Sequence, residues 1–128
     1  MAVMARVRFG AGVIAASIAL PGAAMAGEAD VVAVDLIETG ERVYTFSVTV
    51  AHTDEGWDHY ADRWEIVAPD GRVLATRVLL HPHVDEQPFI RSLGDVAIPD
   101  GIEAVEVRAH DSVHGLGGQT MTVKLAEP

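Results

Sequence analysis

The chain has no cysteine at any of its 128 positions. That removes disulfide cross-links, thiolate nucleophiles, zinc ribbons, iron–sulfur clusters and blue-copper sites. Basic residues are scarce: nine Lys and Arg stand against nineteen Asp and Glu, for a net charge of −10. Such a chain does not seek nucleic acid or anionic lipid; it draws cations and basic partners. Methionine is nearly confined to the start, at Met1, Met4 and Met25, so Met121 alone argues against a methionine-rich copper(I) carrier. No internal repeat, linker or low-complexity run is visible. Sustained helical periodicity is missing too. The exception is WDHYADRW, where the spacing of Trp57, Tyr60, Ala61 and Trp64 predicts a single helical turn.

The first 26 residues read as a leader. Arg6 and Arg8 give a positive start, VIAASIAL (13–20) a short apolar run, and Ala24-Met25-Ala26 a small-x-small cleavage box. The apolar run is too short to span a bilayer. We therefore expect a secretory signal peptide over 1–26, cut after Ala26, and a periplasmic or secreted domain over 27–128. No later segment predicts stable membrane insertion. The leader holds two of the nine basic residues and no acid, so the remainder is more acidic still.

Beyond it the chain reads as strands and turns. VYTFSVTV (43–50) alternates, with Tyr44, Phe46, Val48 and Val50 on one face. Period two with β-branched and aromatic residues predicts a half-buried strand. MTVKL (121–125) and AVEVRA (104–109) repeat the pattern. Residues 31–37, 63–68, 72–80 and roughly 89–98 supply four more, making seven. Thr39-Gly40, Pro69-Asp70-Gly71 and Pro99-Asp100-Gly101 are turn signals. Seven short strands in about a hundred residues predict an all-β antiparallel sandwich. In outline the chain resembles immunoglobulin-like and fibronectin-type-III-like modules found in small exported bacterial proteins, with Trp64 where such folds bury a tryptophan in the third strand. The paired cysteines of antibody domains are missing. The resemblance implies architecture and no particular activity.

Antiparallel order puts alternate connections at opposite ends. Those at 38–41, 69–71 and 99–103 share one end, and those at 52–60, 81–88 and 110–118 share the other. All six histidines fall in the second set: His52 and His59, His81 and His83, His110 and His114. Asp54, Glu55, Asp58, Asp85, Glu86 and Asp111 accompany them, with no lysine or arginine. Imidazole and carboxylate suit zinc or copper(II). The candidate metal ligands are His81, His83, His110, His114 and His52, with Asp85, Glu86 and Asp111 as further ligands or orienting groups. His59 is set aside as facing away on the predicted turn.

Other readings fit the same residues. His52 continues the inward parity of Tyr44 to Val50 and so predicts a core-edge histidine bonded to backbone. Asp111 and Ser112 are turn-capping types. His81 and His83 could anchor Asp85 and Glu86. Trp57 and Tyr60 are candidate anchors for an exported or basic protein partner on a metal-free binding module, or plugs in the end of the core. A purely structural domain is the remaining alternative. His110-Asp111-Ser112 has the residue types of a hydrolase triad, but neighbours in one loop cannot align as nucleophile, base and orienter. The His-x-His pair resembles that of Cu/Zn superoxide dismutase, yet the chain is shorter and interposes Pro82. An enzyme is not expected.

Overall fold

A computed structural model describes residues 4–5, 7–9 and 27–125. Among these the chain is all-β, with no helix. The strands are β1 (Met4–Ala5), β2 (Val7–Phe9), β3 (Asp30–Gly40), β4 (Val43–Ala51), β5 (Ala61–Val67), β6 (Val73–Val78), β7 (Phe89–Ala97), β8 (Ala104–Asp111), β9 (Gly115–Leu116) and β10 (Met121–Lys124). One sheet has the order β1-β10-β8-β5-β6, with β9 added to β8; the other runs β2-β3-β4-β7. From β3 onward every pairing is antiparallel. The short β1 and β2 join parallel, to β10 and β3 respectively.

Alternation builds the core. On β4, Tyr44, Phe46, Val48 and Val50 are buried and their neighbours partly exposed. β8 does the same with Val105, Val107 and Ala109. These inward rows meet those of β3 and β10 and Trp64 of β5 in one cluster. Burying a side chain such as Phe46 contributes about 1.5–3 kcal/mol relative to exposure. Trp64 is fully buried, as its position in the third strand predicts.

The seven expected strands are all present, with small shifts at their ends. The count is corrected by β9, a two-residue strand inside what the sequence reads as a loop, and by β1 and β2, which lie within the expected leader 1–26 and pair with β10 and β3. β8 also runs two residues further than expected, so His110 and Asp111 belong to a strand rather than to the loop. The helical turn over WDHYADRW is a second correction. Residues 56–59 form a tight turn closed by Glu55 N–H to His59 O at 2.8 Å, with Gly56 at φ +101°, and β5 begins at Ala61. A left-handed φ of that kind suits glycine and interrupts any helical run. Of the expected leader, the apolar run 13–20 and the box 24–26 lie outside the described residues.

The two ends separate as alternation of connections requires. At one, Arg42 of the β3–β4 turn bonds Ile98 O, Pro99 O and Ile102 O of the β7–β8 connection. At the other, Ser112 N–H bonds Tyr60 O at 2.9 Å, and Asp54 reaches His83 N–H at 2.7 Å. All three histidine-bearing connections therefore meet.

Candidate metal site

Asp54 organises the meeting point. Its side chain is fully buried. Oδ1 pairs with His52 Nδ1 and accepts Ala61 N–H at 3.0 Å, while Oδ2 accepts His83 N–H at 2.7 Å. Three segments are thus held by one carboxylate. Gln87 adds a second tie, accepting His52 N–H at 2.9 Å and donating to His83 O at 2.9 Å.

Asp111 comes in from β8. Parity continues from Val105 through Ala109 and turns its carboxylate inward, where it is wholly buried. Burial alone would raise its pKa. The N–H groups of His114 (2.6 Å) and Val113 (2.7 Å) and the His114 ring outweigh that and hold it below the usual carboxylate range. It is an ionised carboxylate in a dry place.

Two imidazoles face it. His52 Nε2 lies 3.6 Å from Asp111 Oδ2 and His59 Nε2 lies 3.5 Å from Asp111 Oδ1. Both Nε2 atoms also meet a single backbone oxygen, Gly27 O, at 3.0 Å and 3.1 Å. Each ring's other nitrogen faces a carboxylate: His52 Nδ1 meets Asp54, and His59 Nδ1 meets Glu55 Oε1 at 2.5 Å. The hydrogen bond to Glu55 is the chief cause that raises the His59 pKa.

The proton count at this site is informative. Asp54, Glu55 and Gly27 O only accept. A neutral imidazole has one N–H, yet each of these two rings faces acceptors at both nitrogens. Neutral rings leave two acceptor contacts without protons, so the arrangement demands added positive charge. One further proton on each ring, or a divalent cation at the Nε2 atoms, would supply it. The carboxylate on each Nδ1–H then fixes the tautomer, as in carboxylate–histidine–metal groupings. One donor atom each from His52, His59 and Asp111 lies within 4.8 Å of the others, so these three could hold a metal ion.

The other expected residues sit around this group. The His114 ring lies tilted against His59, with centroids 4.9 Å apart, and its Nδ1 donates to Asp111 Oδ2 at 3.2 Å. His83 lies beyond Asp54, stacked on Phe89 at 4.0 Å, with both ring nitrogens buried and unbonded. His81 is exposed, 4.7 Å from the His83 ring. His110 points to the outer face of β8 and pairs with Asp62 at 2.6 Å. Asp85 is exposed, and Glu86 is drawn to Arg91 at 3.2 Å, a cation that β7 brings to a loop with none of its own. Trp57 is 67 % exposed and meets Tyr60 edge-on at 5.6 Å, which corrects the expectation of a core plug.

A helical turn over WDHYADRW would aim His59 outward; the Gly56 turn aims it inward. Asp111 was legible by extending strand parity two residues. Gly27 O carries no side-chain signature at all.

No protein-family model matches the chain, and no solved structure matches it. A curated protein of Halomicrobium mukohataei, described as "Putative lipoprotein", is 47 % identical over 96 residues, 75 % of this chain. The chain spans about half of that relative, 47 % of its length. Among the described residues no helix is long and apolar enough to cross a membrane.

Proposed function

We propose that this is an exported, immunoglobulin-like β-sandwich that binds a divalent metal, zinc or copper(II), through His52, His59 and Asp111. The observation that carries the reading is the excess of acceptors: two imidazoles with oxygen at both nitrogens, beside an ionised buried carboxylate. The strand order β3-β4-β7 facing β10-β8-β5-β6, with Trp64 buried in the third strand of that set, supports the immunoglobulin-like description. The leader pattern and the name of the Halomicrobium relative support export.

Calorimetric titration of the processed, tag-free protein with zinc and with copper(II) tests this. One metal binds at a ratio of one, His52→Ala and His59→Ala lose it, and His81→Ala keeps it. No saturable binding of either ion rejects the reading. Binding lost only in His81→Ala or His83→Ala moves the site to the exposed pair.

A further inference from the structure

The Gly27 carbonyl between two imidazoles belongs to the residue that follows the cleavage box Ala24-Met25-Ala26. We propose that signal-peptide cleavage builds the metal site: hydrolysis of the Ala26–Gly27 bond frees the Gly27 α-amine, which joins His52, His59 and Asp111 as a ligand of copper(II). This rests on the metal reading above and on the leader reading of residues 1–26.

The chemistry balances with water and a signal peptidase. The Ala26 C–N bond breaks, water's hydroxyl goes to the Ala26 carbonyl and its proton to the Gly27 nitrogen, and the new carboxyl then passes its own proton on, leaving Ala26 carboxylate and Gly27 ammonium. The ammonium loses a proton on binding the ion. Amine nitrogen and carbonyl oxygen of one glycine close a five-membered chelate ring. The donor set becomes the amine, two imidazoles, the Asp111 carboxylate and the Gly27 carbonyl. Three nitrogens with oxygens favour copper(II), which also leads the divalent affinity order.

Three observations fix Gly27 at this spot. A Cβ there would come within 2.6 Å of the His114 ring, so only glycine fits so close. The next residues are pinned: Gln119 N–H bonds Asp30 Oδ1 at 2.7 Å, and Val31 N–H bonds Gln119 O at 2.8 Å. Glycines 117 and 118 let that segment pass, since a Cβ on Gly118 would stand 1.9 Å from Ala29 O. The end of the processed chain is therefore held against the imidazoles rather than left to solvent.

The test expresses the full chain with its leader and recovers the exported product. Mass spectrometry reads its first residue, and paramagnetic resonance reads copper(II) coordination before and after acetylation of the α-amine. With one lysine in the chain, Lys124, selective acetylation is easily verified. The expected result is a product starting at Gly27, nitrogen hyperfine structure from three nitrogens, and about a hundredfold weaker copper(II) binding after acetylation. A different first residue overturns the proposal. So does an acetylated protein with unchanged affinity and spectrum, although the metal reading then survives. If neither form binds copper(II) or zinc, the metal reading itself fails and takes this one with it. The unmodified and acetylated proteins are compared for melting temperature without metal, so a folding defect is separated from ligand loss.

Discussion

The two ends of the sandwich serve their oxygens with different side chains. Where strands stop, backbone carbonyls lose their ladder partners and need other hydrogen-bond donors. At the β3–β4 turn the cation is covalent: the Arg42 guanidinium bonds three carbonyls, Ile98 O, Pro99 O and Ile102 O, with Asp100 at 3.7 Å. At the histidine end no arginine or lysine enters the group formed by His52, His59, Asp54 and Asp111. Imidazoles stand there instead, short of protons for the oxygens around them. The first end is complete as built; at the second, His52, His59 and Asp111 could hold a metal ion.

The comparison breaks first at Asp54. Its carboxylate serves His52, Ala61 N–H and His83 N–H, all buried. Asp54→Ala leaves three donors without partners and should destabilise by about 3–5 kcal/mol in urea unfolding. A loss under about 1 kcal/mol would mean that Asp54 does not organise this end. Arg42→Met comes next. It should cost about 1.5–3 kcal/mol, the usual worth of hydrogen bonds to a charged group, and leave metal affinity unchanged. A changed affinity would show that the ends are not independent.

A smaller effect separates His83 from the metal group. Burial, with Arg91 and His81 adding, pushes its imidazole below the usual 6.5. The unfolded chain therefore binds a proton at His83 more readily than the folded one. Stability from this residue is intact above about pH 6.5 and declines as pH falls from there towards the lower folded value. His83→Phe, which keeps the stack on Phe89, should flatten the decline of unfolding free energy below about pH 6.5 without abolishing metal binding. An unchanged slope would contradict the assignment. Smallest of all, Trp57→Ala should stay within about 0.5 kcal/mol of the parent, since that ring is 67 % exposed. A large drop in melting temperature would return Trp57 to the core.

Much of the frame could be read from alternation. VYTFSVTV maps onto β4 to within a residue, because one face of the strand meets the core and the other does not. Numbering the connections brought histidines from distant segments to one end. Asp111 stands among the expected ligands, but as a loop residue; its inward aim comes from β8, which carries the parity of Val105, Val107 and Ala109 on to 111. What the pattern missed has physical causes. His59 depends on a left-handed glycine at position 56, which overrides helical spacing. Arg91 neutralises Glu86 from a neighbouring strand, so loop composition alone overstated the free acid. Gly27 contributes a main-chain oxygen, for which side-chain pattern gives no sign.

Anomalous diffraction from crystals grown with copper(II) or zinc tests the central claim most directly. The account predicts one strong peak about 2.0–2.1 Å from both His52 Nε2 and His59 Nε2, with Asp111 beside it. A peak at His81 and His83 instead, or two imidazoles still bonded to Gly27 O with no ion between them, would contradict it.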